Sequence, residues 1–498
     1  MTIRTTGWRP RALASTLAAA LSLATPLVSS LAPASLPALV PELLPALVPA
    51  LVPALVPALV PSSAQAAVAY RLTDPALAAK IDGAPLLAFS VDALWRTARQ
   101  ADAKASRSAA LEQAVVNRLL AGSARKTWGE AALFAGQRVA FAHDVMVDDQ
   151  LVATLRGLYG KELEQAMQRL PGGSLAGLVT AQPAIAPAAL DAVFGRPGQL
   201  RLEYTLDAGQ LARAQDIVVL RYQLPQGAAG AITLADVYRR QNVQGRVALF
   251  ARQSAHLQQQ ARLALAALYV QHWSTQRFGA ATVADLRRVL DEQDTVQALQ
   301  QLHGIGNDID AASPVVKQLA AQVSGAEIEN YYRRHREEFR RIEKVKVRHI
   351  RLPDERTAQS VAGQLSGGAD FGALARRYSS AADSQSGGEL GWLQHSGTPD
   401  WLAQLAFAQA EGQPSRPIRS PVGPNDKAVW EIVLVDQRVE GYQDPASETV
   451  RYVAANAVAR EKAAAQLAAL RQRLLGAARI DINRGLLDQP LHVLESRS

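Results

Sequence analysis

Apolar residues recur at helical spacing over most of the chain beyond residue 90. One such stripe follows Ser108 and consists of Leu111, Val115, Leu119 and Leu120, the spacing of a single buried helix face. Further helices are predicted over 232–278, 283–302, 324–339 and 447–475. Ser324 and Glu327 have the spacing of a capping box at the start of one of them. The pattern predicts a mostly helical body.

Residues 345–438 follow a different pattern, in which strands enclose helices. Alternating, β-branched stretches predict a strand over 345–352 and a closing strand over 429–435. Helices are predicted between them over 357–365, 371–378 and 399–407. Because strands open and close the segment, we expect them to neighbour each other in one small sheet. The predicted fold class is α+β multidomain: a helical body, a small sheet flanked by helices, and a long C-terminal helix.

The first 66 residues have the layout of an export signal with a low-complexity insertion. Three arginines precede an apolar stretch over 12–24, and small residues typical of a cleavage site end at Ala66. An Ala-Leu-Val-Pro repeat over 46–61 places proline at every fourth residue, so we expect extended backbone there and no membrane span. We predict cleavage near Ala66 and a periplasmic protein. The alternative is an uncleaved anchor with a stiff spacer, and only then would the chain contact a membrane.

The composition excludes several classes of site. The 498 residues include no cysteine, which excludes disulfides, thiol catalysis and thiolate metal sites. The net charge of +8 is spread along the chain, and the densest arginine run, 333–341, is interleaved with glutamates. That mixture is typical of a solvated helix face, so we predict no nucleic-acid partner. The eight histidines show no metal-ligand spacing, and no phosphate-binding glycine loop is present, so we predict neither a metal nor a cofactor.

The α+β segment carries five motifs in a fixed order. They are Val-Arg-His349-Ile, Gly-Gly-Ala-Asp-Phe371, Gly-Gly-Glu-Leu-Gly-Trp392, Ser415-x-Pro417 and Asp436-Gln-Arg438. In this order they resemble a parvulin (PpiC-type) peptidyl-prolyl isomerase domain. The flanks are similar in layout to the SurA-type periplasmic chaperone-isomerases, with an early Asp-Gly-x-Pro turn at 82–85 and a Tyr331–Tyr332 helix just before the segment.

The patterns and the resemblance together divide the chain into four parts. We expect a signal peptide with the proline-rich repeat over 1–66 and a mostly helical, chaperone-like region over 67–343. The parvulin domain is expected over 344–439. Residues 440–498 are expected to form a C-terminal helix that packs back on the helical region. The region 126–230 is left open as a further domain.

The resemblance implies a site built from two facing strands and a loop. His349 matches the first histidine of the pair found in the family, and Glu431 takes the position of the second. The loop position that the family fills with Cys or Asp falls on Ala381, two residues before Asp383. We therefore predict His349, Glu431 and Asp383 as the catalytic group. The alternatives are a structural strand histidine and an exposed strand carboxylate.

The same resemblance implies an apolar pocket for a proline ring. The predicted substrate-binding residues are Leu393, Thr398, Leu402, Phe407 and Trp392. For Leu402 and Phe407 a role in the core is an equal alternative, and Trp392 is also interpreted as a wall or core residue because aromatic side chains commonly serve packing.

Three functions follow from this reading. The first is an exported peptidyl-prolyl isomerase and chaperone acting on unfolded, nascent or proline-containing envelope polypeptides. The second is a parvulin-fold binding module with weak or no turnover, because the second histidine is Glu431 and the loop residue is Ala381. The third is an interaction protein of an envelope assembly.

Overall fold

The computed structural model describes residues 68–135, 141–198, 201–306, 313–394, 400–422 and 427–494. The predicted signal segment 1–66 and Thr398 therefore lie outside the described residues. The described helices are α1 Ala88–Ala101, α2 Arg107–Leu133, α3 His143–Gln168, α4 Pro187–Phe194, α5 Ala208–Asp216, α6 Leu234–Arg239, α7 Val243–Phe250, α8 Ser254–Phe278, α9 Ala280–Leu302, α10 Pro314–Ala320, α11 Gly325–Arg334, α12 Glu355–Ser366, α13 Phe371–Tyr378, α14 Trp401–Ala408 and α15 Glu448–Ala477.

The described strands form three small sheets. The strands are β1 Val68–Ala69, β2 Leu77–Ile81, β3 Ala84–Leu87, β4 Val179–Ala181, β5 Val218–Gln223, β6 Ala229–Thr233, β7 Arg340–Leu352, β8 Glu389–Gln394, β9 Ile418–Arg419, β10 Trp430–Tyr442 and β11 Ile480–Ile482. The sheet orders are β1-β11-β2-β3, β4-β5-β6 and β8-β7-β10-β9. The mostly helical architecture with small sheets is the α+β multidomain class predicted from the sequence.

The stretch 232–278, predicted as one helical run, is divided into a strand end and three helices. The side chain of Thr233 accepts a hydrogen bond from the amide of Asp236, and that of Asn242 accepts one from Gly245, so each begins a new helix. A side chain that caps the first amides of a helix competes with continuation of the preceding helix. The prediction of a single run is corrected accordingly.

A separate apolar cluster forms in the middle of the sequence of the helical region. It draws side chains from Leu170 to Tyr269, and it packs the sheet β4-β5-β6 against α6, α7 and α8. Phe194, Leu220 and Ile232 are among its fully buried members. The region 126–230 that the sequence left open therefore shares this cluster only in part, because the cluster begins after α3 and continues into α8.

The end of the chain returns to its beginning. Strand β11 pairs in parallel with β1 and antiparallel with β2. Its residues Ile480 and Ile482 join an apolar cluster with α2 and α9 that also includes Leu467 and Leu475 of α15. Helix α15 thus packs along the helical region. None of the described helices is both long and apolar enough to cross a bilayer.

The α+β segment is a four-stranded sheet with helices on both faces. Its two central strands, β7 and β10, are its first and last in sequence, and they pair antiparallel from Arg340–Tyr442 to Leu352–Trp430. Both strands extend beyond the predicted limits at 344 and 439. Helices α12 and α13 cover one face through a cluster with Ile350 and Ile432. Helix α14 covers part of the other face, against Val345, Val347 and Val433.

Candidate functional site

Strand alternation places the predicted acid–base residues on one face of the sheet. Val433 of β10 lies directly opposite His349 of β7, and Glu431 lies opposite Arg351. Since successive side chains on a strand point to opposite faces, His349, Arg351 and Glu431 share one face with Val433. This is the face that α14 partly covers, so the polar group continues directly from an apolar cluster.

His349 bridges two carboxylates. Its Nδ1 lies 2.8 Å from Oε2 of Glu431, and its Nε2 lies 2.9 Å from Oδ2 of Asp383. An ionised carboxylate only accepts hydrogen bonds, so both bonds require a proton on each ring nitrogen. The arrangement therefore suits an imidazolium between two acceptors.

The burial of the three groups differs. The side chain of Glu431 is 0% exposed and that of His349 is 3% exposed, whereas that of Asp383 is 20% exposed. Burial, the largest single influence, lowers the pKa of His349, but the hydrogen bonds and charges of Glu431 and Asp383 together outweigh it and raise the pKa above its ordinary value. Of these three groups, only Asp383 offers solvent a substantial polar surface.

The loop that carries Asp383 is folded around the backbone of that residue. The carbonyl of Asp383 accepts hydrogen bonds from the amides of Ser386 and Gly388, each at 3.0 Å, and from the hydroxyl of Ser386 at 2.8 Å. This turn brings the carboxylate of Asp383 to the imidazole. The neighbouring Ala381, which takes the usual loop position, is buried and supplies no polar side chain.

Backbone conformation and close packing explain why the Gly-Gly motif consists of glycines. Gly387 and Gly388 both have positive φ, at 77° and 79°. The carbonyl of Gly388 accepts the amide of His349 at 2.8 Å, and a Cβ on Gly388 would lie 2.0 Å from the carbonyl oxygen of His349. Glycine is the residue that allows both the positive φ and this approach. The motif therefore positions the backbone of the histidine.

The predicted apolar residues are only partly brought together. Leu402 is buried in the cluster of α14 with Val345 and Val347, and Leu393 and Phe407 pack against that cluster. These three lie on the sheet face of His349. His349 itself is almost fully buried, so the imidazole offers little surface on this face.

Trp392 lies on the opposite face. It pairs with Lys346, and its ring is covered by the ammonium of Lys344 at 4.8 Å, whereas Leu393 pairs with Val345 on the His349 face. The expectation that Trp392 lines the same pocket is therefore corrected. Strand alternation separates adjacent residues by the thickness of the sheet.

The sequence analysis missed two polar residues of the site. Arg351 donates from Nε to Oε1 of Glu431 at 2.6 Å. Ser415 is buried, and it exchanges hydrogen bonds with the backbone of Val433, directly opposite His349. Ser415 belongs to the Ser-x-Pro motif, whose role was not assigned. For Arg351 the available signal was its position two residues after His349 on the same strand.

The described residues of the site show no arrangement suited to a metal. Across the described ranges, no group of three or more histidine, aspartate or glutamate side chains is placed to hold a metal ion. The imidazole nitrogens of His349 are both engaged by carboxylates, as described above.

Comparisons with known proteins assign the segment that carries this site to a domain family. The family model for the rotamase, or PPIC-type PPIASE, domain matches residues 350–437. The foldase protein PrsA of Caldanaerobacter subterraneus subsp. tengcongensis is 35% identical over 103 residues, which are 20% of this chain and 33% of that protein. The chaperone SurA of Methylobacillus flagellatus is 31% identical over 131 residues, covering 24% of this chain and 28% of that protein.

A solved structure covers more of the chain at lower similarity. The crystal structure of the peptidylprolyl isomerase PrsA from Bacillus anthracis is 18% identical and covers 41% of this chain and 84% of that chain, with a TM-score of 0.19. The sequence matches to PrsA and SurA span about a third of the length of those relatives. Residues 350–437 are thus a PPIC-type rotamase domain, which this chain shares with PrsA foldases and SurA chaperones.

Proposed function

We propose that this chain is an exported peptidyl-prolyl isomerase and chaperone for unfolded or nascent envelope polypeptides. The observation that carries the isomerase part is the His349 imidazole held between Asp383 and Glu431, beside an apolar cluster in a rotamase domain. We propose His349, Glu431 and Asp383 as its polar group, and Leu393, Leu402 and Phe407 as the apolar contacts of the proline ring.

Prolyl isomerisation requires rotation about an amide and breaks no bond. Amide resonance creates a barrier of ~18–20 kcal/mol, and it places partial negative charge on the carbonyl oxygen of the planar form. A client proline on the apolar face would leave water, and the carboxylate of Asp383 would lie beside the amide. Negative charge near the carbonyl oxygen disfavours the planar form more than the twisted one, so the barrier falls.

In this proposal the imidazole acts on the client through Asp383. The bonds from His349 to Glu431 and Asp383 fix the carboxylate that faces the client. A preorganised charge requires no reorientation during the rotation, which is the main advantage of such a site over water. Loss of the loop Cys or Asp at Ala381 is compensated, in this view, by Asp383.

The test is the isomerisation rate of proline peptides with the purified mature chain, using several residues before the proline. Acceleration in the wild type, and loss of most of it in a His349→Ala variant that remains folded, is the expected result. If the wild type leaves the rate unchanged, the isomerase proposal is wrong and a binding module without turnover is favoured.

A second observation favours client binding by the helical part. Tyr452 of α15 is 70% exposed, beside a hollow of about 630 Å³ that is lined in part by Ala320, Val323, Ile328 and Ala455. The hollow is also lined by Glu448, Thr449 and Arg451, so it offers both apolar and polar contacts. An exposed aromatic ring next to such a hollow suits the side chains and backbone of an extended polypeptide. We propose the region 67–343 with the helix of 440–498 as the chaperone part and 344–439, with the strand ends beyond it, as the isomerase part.

Suppression of aggregation tests the chaperone part separately. Tyr452→Glu should weaken protection of an unfolded model protein and leave the isomerase rate of short peptides unchanged. Leu263→Glu, at a residue 37% exposed on α8, is the matched control and should protect like the wild type. Equal protection by the Tyr452 variant would contradict the placement.

A further inference from the structure

Arg351 connects the segments that carry the polar group of the site. Its side chain donates to Glu431 on β10, and its backbone amide donates to the hydroxyl of Ser379 at 3.0 Å. Its carbonyl accepts the amide of Ser380 at 2.8 Å. Ser379 and Ser380 begin the loop that carries Asp383. One residue of β7 thus contacts both the strand that carries Glu431 and the loop that carries Asp383.

The positive charge of Arg351 stabilises the buried carboxylate of Glu431. Glu431 is 0% exposed, and it contacts the imidazole of His349 and the guanidinium of Arg351. An isolated buried carboxylate is strongly disfavoured, so it retains its charge only with positive partners. Arginine remains charged throughout the accessible pH range, whereas the imidazole does not. Arg351 is therefore the permanent counter-charge of Glu431.

The guanidinium of Arg351 and the imidazole of His349 each bind one oxygen of the Glu431 carboxylate. Oε1 of Glu431 is 2.6 Å from Nε of Arg351, and Oε2 is 2.8 Å from Nδ1 of His349. The charged groups that contact the imidazole are Glu431 from β10 and Asp383 from the loop. Arg351 on β7 binds the other carboxylate oxygen of Glu431. Positive charge at Arg351 makes Glu431 a weaker proton attractor for the ring than an unpaired carboxylate would be.

We propose that Arg351 is a positioning residue of the isomerase site, which holds Glu431 in place and sets the charge balance of the His349–Glu431 pair. This inference rests on the proposed function for its catalytic meaning, but its electrostatic content does not. The imidazole holds Asp383 toward the client only while both of its nitrogens carry a proton. By its charge beside Glu431, Arg351 sets the pH at which one of these protons is lost.

The experiment is a pH titration of the His349 ring by nitrogen-detected NMR on the mature full chain. In Arg351→Met, the proton shared by His349 and Glu431 should be released at a pH higher by at least about one unit, because a neighbouring positive charge is lost. Arg351→Gln removes the charge but retains a hydrogen-bond donor, so it gives the same shift and replaces the first variant if that one unfolds. Arg351→Lys should restore a midpoint near that of the wild type.

Arg348→Met is the matched control. Arg348 lies on the same strand but on the opposite face, where it pairs with Asp436, so its loss removes the same charge without touching Glu431. Its titration midpoint at His349 should equal that of the wild type. An unchanged midpoint in both the Met and the Gln variant at 351, or an equal shift in Arg348→Met, would overturn the inference.

The pH profile of isomerase kcat/KM gives a second readout. It should move upward with the NMR midpoint in Arg351→Met and Arg351→Gln. A shifted NMR midpoint in a chain that shows no isomerase activity would support Arg351 as the charge-setting residue and reject the proposed function. An active chain whose midpoint does not respond to position 351 would reject the inference alone.

Discussion

At the scale of single residues, the candidate site is assembled from positions far apart in sequence. The partners of His349 lie 34 residues away, at Asp383, and 82 residues away, at Glu431. Each is buried or held by backbone hydrogen bonds, so the geometry follows from the fold of the domain. The charge of the imidazole is therefore coupled to the stability of the folded domain.

The coupling predicts how stability depends on pH. The folded pKa of His349 is raised above that of the unfolded chain, about 6.5. The stabilisation is fully present below that value and is lost as the pH rises through the folded pKa, because the folded state then binds more protons than the unfolded state. Urea unfolding of the chain between pH 6 and 9, followed at the amides of β7, should show a falling free energy of unfolding.

His349→Gln provides the control for this prediction. Without a titrating ring, the free energy of unfolding of the domain should depend less on pH over the same interval, whatever its absolute value. An equal slope in the wild type and in the variant would mean that other groups cause the dependence.

The exposed carboxylate of the site predicts a loss of rate. Asp383→Asn removes the charge beside the proposed client amide and keeps the size of the side chain. The loss of one charged contact, about 1.5–3 kcal/mol, corresponds to a fall of about ten- to a hundredfold in kcat/KM for proline peptides. Asp354→Asn, at an exposed helix cap where asparagine also caps well, should leave the rate unchanged. Similar rates in the two variants would exclude Asp383 from the reaction.

Alanine substitutions at two glycines distinguish the cost of a positive φ from the cost of a steric clash. Gly391 has φ of 76° with no neighbour within 4 Å of an added Cβ, whereas the Cβ at Gly388 would clash with the backbone of His349. Gly391→Ala should cost about 1–2 kcal/mol of stability from the positive φ. Gly388→Ala should cost about 1–3 kcal/mol more from the clash. Thermal unfolding of the rotamase domain within the whole chain measures both losses, and equal losses would contradict the steric explanation.

At the scale of elements, the long pairing of β7 with β10 joins the two ends of the rotamase domain. The register continues through Ile342–Glu440 and Arg341–Gly441 to Arg340–Tyr442, and Arg340 also forms an ion pair with Glu440. The motifs that resemble the family end before this extension. The boundaries of the folded unit are therefore set by strand pairing beyond the motifs.

The pairing predicts the better of two fragments. A fragment 340–442 should be more stable than 344–439, because the shorter one loses three cross-strand pairs at about 0.2–1 kcal/mol each. A fragment 340–439 keeps residues 340–342 of β7 but lacks their partners 440–442 on β10. It should therefore melt at the same temperature as the shorter fragment. Melting followed by circular dichroism measures this, and equal midpoints for all three would show that the extension contributes nothing.

At the scale of the whole molecule, a residue near the C-terminus binds the first turn of α2. The carboxylate of Asp488 accepts the amides of Arg107 and Ser108, at 2.8 and 2.9 Å, and so satisfies the first turn of α2 from 380 residues away. Burial raises the pKa of Asp488, but these hydrogen bonds outweigh it and lower the pKa below its ordinary value. The start of the helix depends on the last part of the chain.

This long-range cap predicts a local loss of stability. Asp488→Ala should cost about 1 kcal/mol, as the loss of a helix cap typically does, and should speed hydrogen exchange in the first turn of α2. In the wild type the contribution is present above the unfolded pKa of 3.8 and is lost as the pH falls through the lower folded pKa. Asp444→Ala removes a hydrogen bond within a local turn, to Ala446, and should leave α2 exchange unchanged.

Local patterns were sufficient for several elements and for the rotamase domain, although they did not predict the caps that divide 232–278. The stripe after Ser108, the capping box at Ser324 and the alternation over 345–352 each depend on residues within a few positions, and the structure contains the corresponding elements. The ordered motifs around His349 were sufficient to indicate the domain family, which the family model confirms. Periodicity and motif order are properties of neighbouring residues, so they are readable before the chain folds.

Contacts between distant segments decided the rest. The burial of Glu431, the link from Arg351 to that carboxylate and the opposite orientation of Trp392 depend on the register of β7 with β10 and β8. The propensities of single residues do not determine the register of two strands or the burial of a side chain. Both arise only when several segments of the chain pack against one another.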